Sequence, residues 1–411
     1  MLKNPNRVWV ISEIYFPIET STGYLLTCTA EGLAEKHDVS VLCRRSCQSA
    51  NRERLRSFET HNGVAIHRCW GTEFDKNKIF FRIINIATIS LSIFFQALIR
   101  LKKNDCVLVV TNPPVLPFVV NVACRLRGAK CILIVHDVYP EAIVAAGLTT
   151  PQSWLTRFMG WMTTRLYQKS DRIVVLGRDM YSLVARKLPK DGERIRTIEN
   201  WADLDLVQPL PRTQSNLLSE KNILDKFVVQ YAGNMGRTHG LEYLVEVARR
   251  LIKSRSDIHF LLIGGGAKKK WIEEVVAEES LSNITLVGNR PRSDQINFLN
   301  ACDVAIISFV PNMAGVSVPS RTYNTMAAGS PIIAVADEHS ELSQVVKEEE
   351  IGWVVAPGDI ETLQSVILQA AGQPQTLQLM ATRARNAVEE KYSLREANEK
   401  YNRLIEELVD T

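Results

Sequence analysis

The sequence predicts an α/β protein with two doubly wound, Rossmann-like domains that face each other across a cleft. Short apolar, β-rich segments alternate with longer helical stretches along the chain, which is typical of parallel sheets with crossover helices. Residues 206–226 interrupt this alternation with two prolines and mixed charges, the composition of a linker. The length of 411 residues fits two domains of about 200 residues each. We therefore predict domains at 1–205 and 227–380, with C-terminal helices over 381–411, the last packing back toward the first domain.

Seven segments of the first domain have the length and the β-branched content of buried strands. The predicted strands are Val8–Ser12, Val39–Cys43, Val64–Arg68, Val107–Thr111, Cys131–Val135, Arg172–Leu176 and Ile195–Ile198. Helical periodicity between them predicts helices over Leu25–Lys36, Pro117–Arg127, Trp154–Lys169 and Met180–Lys187.

Six further strands follow the linker. They are predicted at Phe227–Tyr231, His259–Ile263, Ile284–Val287, Val304–Ile307, Ile332–Val335 and Val354–Val355. The predicted helices are Leu241–Ser254, Lys268–Glu279, Arg292–Ala301, Ser320–Ala328, Leu342–Glu349, Asp359–Gly372, Gln375–Lys391 and Leu394–Val409. Because such sheets bind ligands at the carboxyl ends of their strands, the loops after these strands are the candidate sites.

Composition excludes several classes of protein and reveals an uneven charge. An apolar fraction of 46% and a charged fraction of 23% are those of a globular protein, not of a disordered or fibrous one. The formal charge of +4 combines 28 basic and 19 acidic residues in 1–205 with 21 basic and 26 acidic residues in 206–411. We expect the basic half to meet an anionic surface or ligand. The basic residues are dispersed and not interleaved with aromatics, so nucleic acid is not a predicted partner.

The cysteines and the N-terminus indicate a reducing, cytoplasmic environment. Eight cysteines are too few and too scattered for a disulfide scaffold, and the pair Cys43 and Cys47 has no matching second pair that would make a zinc site. The chain enters a predicted buried strand at residue 8, with no signal peptide before it. We therefore expect a protein on the cytoplasmic side of the membrane, without a bound metal.

The predicted helix over 79–101 contains 17 residues, Ile83–Ile99, without a charge. This length is at the short limit of a membrane span, and a wholly buried core helix or a helix lying in the membrane interface also fits. Phenylalanines at both ends, with basic residues beyond them, favour the interfacial interpretation. On that interpretation the protein is peripheral on the inner face of the plasma membrane and contacts anionic lipid.

Three loops of the second domain have the chemistry to hold phosphate. Residues 232–237 follow a strand, carry two glycines that let the backbone approach a ligand, and end with Arg237. Gly264–Gly266 also follow a strand, and three lysines come after them, but the spacing is not that of a dinucleotide site. Ser320 is placed to cap the next helix, and Arg321 in its first turn opposes the helix dipole unless an anion joins it.

Two loops of the first domain carry further candidates. Ser21-Thr22-Gly23 follows the first strand and forms a small predicted anion nest before a helix. His136 and Asp137 follow the strand Cys131–Val135, a position suited to hydroxyl recognition or proton transfer.

The motifs at these positions resemble those of bacterial glycosyltransferase family 4. The resemblance lies in Tyr15–Glu19, Asn112–Pro114, His136–Glu141, Asn200–Asp203, Tyr231–Gly236 and Ser317–Gly329. The last of these is similar to a subgroup that builds surface polysaccharides with fucose-type or N-acetylfucosamine-type sugars. The resemblance implies a GT-B fold, with the acceptor site in the first domain and the nucleotide-sugar site in the second. It also implies transfer without a metal or other cofactor and with retention at the anomeric carbon.

One position departs from that family. Most members carry two glutamates eight positions apart before the Met-Ala-Ala-Gly turn, and here those positions hold Val316 and Asn324. Asn324 can still hydrogen-bond a ribose, and Glu338 or Glu341 is a candidate to replace the lost carboxylate. Ser320 and Arg321 are then the preferred ligands of the diphosphate.

These considerations give a complete set of predicted site residues. The catalytic candidates are His136, Asp137 and Glu19, and the acceptor-side candidates are Thr22 and Gly23. The donor-binding candidates are Gly233, Asn234, Gly236, Arg237, Gly265, Asn289, Arg290, Ser320, Arg321, Asn324 and Glu341.

The predicted reaction moves a sugar from a UDP- or GDP-linked donor to a saccharide acceptor carried on a polyprenyl diphosphate, as in surface-polysaccharide or O-antigen synthesis. The departing phosphate takes the acceptor's proton, and His136 orients the sugar. Two other interpretations remain open: a non-hydrolysing nucleotide-sugar epimerase of the same fold, and a non-catalytic assembly subunit.

Overall fold

The structure, a computed structural model, describes residues 7–45, 55–75 and 78–409. The chain divides into two compact units, the first made of Met1–Pro140, Thr150–Glu199 and Leu394–Thr411, and the second of Glu141–Thr149 and Asn200–Ser393. Each unit is built on its own largely parallel sheet, which confirms the predicted α/β class with two doubly wound domains. Residues 1–6 and Cys47, on which the expectations about a signal peptide and a cysteine pair depend, lie outside the described residues.

Fourteen strands and fifteen α-helices are numbered in chain order among the described residues. The strands are β1 (Val8–Ile11), β2 (Val39–Arg44), β3 (Phe58–His61), β4 (Val64–Cys69), β5 (Cys106–Val110), β6 (Lys130–Val135), β7 (Arg172–Val175), β8 (Ile195–Thr197), β9 (Phe227–Ala232), β10 (Ile258–Ile263), β11 (Ile284–Val287), β12 (Val304–Ser308), β13 (Ile332–Val335) and β14 (Gly352–Val355). The helices are α1 (Ser21–Leu33), α2 (Ile79–Arg100), α3 (Leu116–Arg127), α4 (Glu141–Ala145), α5 (Trp154–Lys169), α6 (Arg178–Lys187), α7 (Asn216–Glu220), α8 (Leu241–Leu251), α9 (Lys269–Glu278), α10 (Gln295–Leu299), α11 (Arg321–Ala327), α12 (Glu341–Glu348), α13 (Ile360–Ala371), α14 (Pro374–Lys391) and α15 (Leu394–Val409).

The first unit has a sheet in the order β3-β4-β2-β1-β5-β6-β7-β8. All neighbours are parallel except β3 and β4, which form an antiparallel hairpin at the edge. Strand β5 is buried along its whole length, since helices cover both faces of a parallel sheet. The last helix, α15, packs on α1 within this unit.

The hairpin strand β3 is absent from the sequence prediction. Its turn is Asn62-Gly63, and both residues have positive φ, 44° and 80°. An Asn-Gly pair is the strongest short-range signal for a two-residue hairpin, because both positions of that turn need positive φ. The signal was in the sequence, but β3 is half exposed and polar, so its apolar pattern is weak.

The second unit has a sheet in the order β11-β10-β9-β12-β13-β14, with every pair parallel. The order reverses between β9 and β12, because the chain first adds strands on one side of β9 and then on the other. In open α/β sheets, ligands bind outside the carboxyl ends of the strands at such a reversal. The core beneath it is formed by fully buried residues such as Val229, Phe260 and Ile306.

Helix α2 contains the apolar segment Ile83–Ile99 and packs along one side only. Ile89, Ile93 and Ala97 are fully buried, and α2 contacts β2, β4 and α3. Phe95 and Ile99 on the other side are 58% and 72% exposed, so the wholly buried interpretation is wrong. Within the described part of the chain, α2 is the one helix that is long and apolar enough to cross a membrane, by length and composition alone.

Candidate functional site

The donor-site candidates of the second unit gather where its strand order reverses. The loop 233–240 follows β9, and the segment 309–320 follows the neighbouring strand β12 and leads into α11. The backbone N–H of Val310 donates to the carbonyl of Thr238 at 2.9 Å, and Ser308 Oγ donates to the carbonyl of Gly240 at 3.4 Å. These two bonds hold the loop from β9 against the strand end of β12, at the edge where ligands of this sheet type bind.

Glycines allow the loop after β9 and the loop after β10 to pack backbone to backbone. Gly233, Gly264 and Gly266 have φ of 151°, 138° and 145°, a region that side-chain-bearing residues rarely adopt. A Cβ at Gly264 would collide with the carbonyl oxygen of Gly233, and one at Gly266 would lie 2.6 Å from Asn234 Oδ1. Glycine is therefore required here for close packing as well as for backbone shape.

This packing also uses backbone N–H groups of the predicted phosphate-binding loop after β9. The N–H of Gly233 donates to the carbonyl of Ile263 at 2.9 Å, and the N–H of Met235 donates to the carbonyl of Gly265 at 2.8 Å. These two amides are therefore already used and are not available to a phosphate. A phosphate bound here depends on the other amides of the loop and on side chains.

Among these side chains, that of Arg321 is the best placed to bind a phosphate. It is the first residue of α11, and its guanidinium lies 4.6 Å from the centre of the Tyr231 ring and against Gly233, where a Cβ would collide with it. Its Nε and Nη2 atoms are buried and have no hydrogen-bond partner among the described residues. Because a desolvated cation with unused donors is costly, this arrangement is suited to an anion held by two parallel N–H bonds.

The Tyr231 ring forms the floor beneath this guanidinium. Its hydroxyl donates to the carbonyl of Asn234 at 2.6 Å, which fixes the ring under Arg321. Burial raises the pKa of Tyr231, while the positive charge of Arg321 acts in the opposite direction. The phenol therefore stays neutral and serves as a cation–π surface.

His239 is a member of this cluster that the sequence analysis missed. Its ring lies 5.5 Å from that of Phe309 and meets the ring of Tyr231 edge-on. Burial, followed by the positive charge of Arg321, lowers the pKa of His239 to about 3, so the imidazole is neutral. Its place between Gly236 and Gly240 in the loop was visible in the sequence, but the contact with Phe309, from another strand end, was not.

Other predicted donor residues lie around this cluster. Gly265 packs against the side chain of Asn289, whose Oδ1 would lie 3.1 Å from a Cβ at that glycine. Arg290 donates from Nε to Asp294 Oδ2 at 2.5 Å, so its charge is already paired. Asn234 and Arg237 are exposed on the loop after β9, and a Cβ at Gly236 would lie 3.0 Å from both Asn234 Nδ2 and His239 Nδ1.

The candidates on and after α11 are placed differently from the expectation. Ser320 precedes the helix but makes no side-chain capping bond, contrary to the predicted cap. Asn324 is buried, and its Oδ1 accepts the backbone N–H of Asp203 at 3.0 Å, so its amide oxygen anchors the segment near Asp203. Of the two substitute carboxylates, Glu338 is exposed and paired with Lys347, whereas Glu341 is buried in the first turn of α12.

The catalytic candidates of the first unit lie at the carboxyl edge of its own sheet. Thr111 follows β5, and its Oγ1 accepts the backbone N–H groups of His136 at 3.1 Å and Asp137 at 3.3 Å, after β6. Burial lowers the pKa of His136 to about 4. His136 is therefore neutral near pH 7 and is suited to hydrogen bonding.

Glu19 is exposed in the loop between β1 and α1. Arg68, a fully buried side chain, ties this loop down: its Nη2 donates to the carbonyl of Phe16 at 2.9 Å and to Glu59 Oε1 at 2.7 Å. This anchor was not identified from the sequence.

Thr22 and Gly23 belong to the first turn of α1, which begins earlier than predicted. Thr20 caps the helix, because its Oγ1 accepts the N–H of Gly23 at 3.3 Å. A Cβ at Gly23 would lie 2.6 Å from the carbonyl oxygen of Ile18, so this glycine permits close packing of loop and helix. The amide of Gly23 is thus already used, which leaves less of an anion nest than the sequence suggested.

The described ranges 7–45, 55–75 and 78–409 contain no group of three or more His, Cys, Asp or Glu side chains that could hold a metal ion.

Comparison with known families divides the chain as the two sheets do. The family described as Glycosyl transferase 4-like domain matches residues 25–201, and the family described as Glycosyl transferases group 1 matches residues 215–387.

Two bacterial relatives are similar in sequence to this chain over much of its length. WbjE of Pseudomonas aeruginosa, named as a glycosyltransferase, is 34% identical over 65% of this chain. That match covers 66% of the relative, just under two thirds of its length. WcaI of Escherichia coli strain K12, named as a colanic acid biosynthesis glycosyl transferase, is 22% identical over 70% of this chain and 72% of its own.

Solved structures share the fold at low sequence identity. The sucrose-phosphate synthase of Thermosynechococcus elongatus superposes with a TM-score of 0.78 at 18% identity, over 98% of each chain. Anabaena HepE, solved in complex with UDP-glucose, gives 0.72 at 12% identity over 97% of this chain and 98% of its own. The fold is thus the GT-B fold of glycosyltransferases. With a match to a 4-like domain followed by a match to a group 1 domain, this chain resembles the glycosyltransferases that are built from these two domains.

Proposed function

We propose that the protein transfers a sugar from a nucleoside-diphosphate donor to a lipid-linked saccharide during synthesis of a surface polysaccharide. The observation that carries the donor class is the Arg321 guanidinium beside the glycine loop, whose Nε and Nη2 donors are buried and unused. A diphosphate offers paired anionic oxygens that match the planar fork of arginine. Among the similar proteins, HepE was solved with UDP-glucose and WcaI is named for colanic acid biosynthesis, which supports this choice.

In the proposed reaction, the bond from the anomeric carbon to the diphosphate oxygen breaks, and a bond to the acceptor oxygen forms on the same face, with retention. The proton of the acceptor hydroxyl passes to the departing phosphate oxygen. Arg321 stabilises the negative charge that develops on the diphosphate in the transition state. Such electrostatic stabilisation is usually the largest single contribution to the rate enhancement by an enzyme. We propose no metal ion in this step.

The acceptor side is assigned to the first unit. Neutral His136 orients the sugar by hydrogen bonding, and Thr22, Gly23 and Glu19 lie on the loop and helix that follow β1. The acceptor we propose is a saccharide on a polyprenyl diphosphate, and the protein works at the inner face of the plasma membrane.

The donor is identified first by ligand-induced stabilisation. A ligand at 100 times its Kd stabilises the folded protein by about 2.7 kcal/mol, which a thermal-shift screen of UDP- and GDP-sugars detects. The stabilising donor is then incubated with the protein, with and without lipid-linked acceptor, and labelled sugar is followed into the lipid fraction.

Transfer to lipid supports the proposal. Conversion of the sugar nucleotide without any acceptor would instead identify an epimerase, and donor binding without transfer to any lipid-linked saccharide would identify a non-catalytic subunit.

A further inference from the structure

The first unit presents an unusual outer surface on α2, α3 and α5. These helices follow β4, β5 and β6, and they pack side by side, with α3 contacting both α2 and α5. We call their outer side the three-helix face. Of the 19 large apolar side chains that are exposed among the described residues, twelve lie on these helices or, for Val115, directly before α3. Such a concentration of exposed large apolar side chains is typical of an interaction surface.

The exposed residues recur at helical spacing, so they form ridges that point away from the core. On α5, Trp154, Phe158 and Trp161 are 77%, 49% and 58% exposed, at intervals of four and three residues. The rings of Phe158 and Trp161 stack at 6.1 Å, and the guanidinium of Arg165, one turn further, lies 5.7 Å from the centre of the Trp161 ring. Nothing in the sequence analysis had singled out α5.

The same pattern occurs on the two neighbouring helices. On α2, Ile83, Leu91, Phe95 and Ile99 follow one another at multiples of four residues, and all are exposed. On α3, Leu126 is 67% exposed and lies four residues after the exposed Val122. Each inner side is packed, since Ile93 of α2, Ala123 of α3 and Leu166 of α5 are buried. The apolar outer side is thus a property of a folded layer and not of one isolated helix.

The charges of this face indicate what covers it. The sequences of α2, α3 and α5 contain no Asp or Glu, and they contain seven basic residues. The basic residues are Arg82, Arg100, Arg125, Arg127, Arg157, Arg165 and Lys169. An anionic bilayer attracts basic residues and repels acidic ones, and Trp and Phe are accommodated at its interface. A protein partner with charges of both signs would not select for a face that has basic residues and no acidic ones.

We propose that the three-helix face docks on the surface of an anionic bilayer, with Trp154, Phe158 and Trp161 of α5 as a second anchor beside α2. The proposal rests on the proposed function only in that a lipid-linked acceptor gives the docking a purpose. The aromatic rings enter the interface region, while the basic side chains meet the phosphates of the headgroups. Docking leaves the inner sides of the three helices packed in the first unit.

The test is flotation of the full chain, without donor or acceptor, on two kinds of vesicle. One kind contains phosphatidylethanolamine with phosphatidylglycerol, and the other contains phosphatidylcholine alone. Substituting Trp154, Phe158 and Trp161 together with Ser is expected to weaken binding to the anionic vesicles roughly tenfold or more, because three apolar side chains no longer leave water. The matched control, Leu379→Ser at a residue 60% exposed on α14 of the second unit, is expected to float like the wild type.

The charges are tested separately. Each of Arg157→Gln, Arg165→Gln and Lys169→Gln is expected to weaken binding about fivefold at low salt, since a basic residue near an anionic leaflet contributes about 1 kcal/mol. Phosphatidylcholine vesicles are expected to bind the wild type weakly. Brominated lipid is expected to quench part of the tryptophan emission of the wild type. Replacing Trp154 and Trp161 with Phe is expected to retain binding but to reduce the fraction of the emission that is quenched.

Three results would overturn the proposal. The first is flotation of the α5 Ser variant at wild-type strength, and the second is equal binding to both kinds of vesicle. The third is a dimer in solution that the α5 substitutions dissociate while flotation is unchanged, since the face would then join two copies of the chain. Transfer to acceptor dissolved in detergent is measured on the same variants, so that a failure of docking is distinguished from a failure of the proposed reaction.

Discussion

Replacing Arg321 with Met is expected to have two effects of opposite sign. In the ligand-free protein, Nε and Nη2 of Arg321 are buried without partners, and such uncompensated groups cost stability. Replacing them by the apolar side chain of Met is expected to stabilise the protein within the range of about 1–4 kcal/mol found when buried ion pairs are replaced by apolar side chains. The lost cation–π contact with Tyr231 offsets about 2 kcal/mol of this gain, since the pair is largely desolvated. A net gain of about 1 kcal/mol raises the melting temperature of a unit of roughly 200 residues by about 2–4 °C.

Binding of a nucleoside diphosphate is expected to change in the other direction. Two hydrogen bonds from the guanidinium to a charged oxygen contribute about 1.5 kcal/mol each at the low end, so their loss weakens binding by about 3 kcal/mol, or roughly 150-fold. Arg321→Lys keeps the charge but loses the planar fork, so it is expected to lie between Met and the wild type.

The assay combines thermal unfolding with calorimetric titration of UDP and GDP. Arg250→Met is the control, because Arg250 lies on α8 of the same unit and is paired at the surface with Glu246. It is expected to change stability by less than about 0.5 kcal/mol and to leave nucleotide binding unchanged. If Arg321→Met lowers the melting temperature and binds the stabilising nucleotide as tightly as the wild type, Arg321 is a structural residue and the proposed diphosphate site is wrong.

Three further substitutions test other parts of the two sites. In denaturant titrations, Gly264→Ala is expected to destabilise the protein by about 1–3 kcal/mol, because the new Cβ would collide with the Gly233 carbonyl. The control Gly288→Ala has open space around its Cβ and is expected to change stability by less than about 0.5 kcal/mol. His239 has a folded pKa of about 3, below its unfolded value, so the unfolded state binds more protons and stability falls as the pH is lowered from 6.5 toward 3. His239→Gln is expected to make that fall shallower by up to about 1.4 kcal/mol per pH unit, and an unchanged slope would contradict the assigned pKa. His136→Ala is expected to reduce transfer roughly a hundredfold through misplacement of the sugar while nucleotide binding persists, and undiminished transfer would remove His136 from the mechanism.

The strands were predictable because they are buried on both faces. Strands such as β1 and β5 are continuous apolar segments rich in β-branched residues, and the predicted bounds differ from the observed ones by one residue. Strand β3 has one exposed face and lies at the sheet edge, so its own residues carry little signal and only its Asn-Gly turn does. The starts of helices were less predictable, since the cap of α1 depends on the side chain of Thr20 reaching the N–H of Gly23.

The site was predictable where the chemistry lies within one loop, and not where it depends on contacts between loops. Arg321 was identified because a cation in the first turn of a helix is electrostatically misplaced without an anion. The low pKa of His239 depends first on burial and then on the charge of Arg321, and the imidazole contacts Phe309; Phe309 and Arg321 are 70 and 82 residues away in the chain. Likewise, the bond between Asn324 and Asp203 joins residues 121 positions apart, so an amide chosen as a ribose ligand turned out to hold the backbone.

The uneven charge of the chain has two physically different consequences. The Nε and Nη2 atoms of Arg321 are buried, and buried charges are little screened, so the attraction of this guanidinium for a diphosphate is expected to change little with ionic strength. The basic residues of the three-helix face flank exposed apolar ridges, where a Debye length of about 8 Å at physiological salt limits their attraction to lipid in close contact. Raising the salt concentration is therefore expected to release the protein from anionic vesicles while it still binds nucleotide. If instead both activities fall in parallel, the two halves of the chain do not divide the work between a local anion site and a surface, and the net charge of +4 would describe a single electrostatic function.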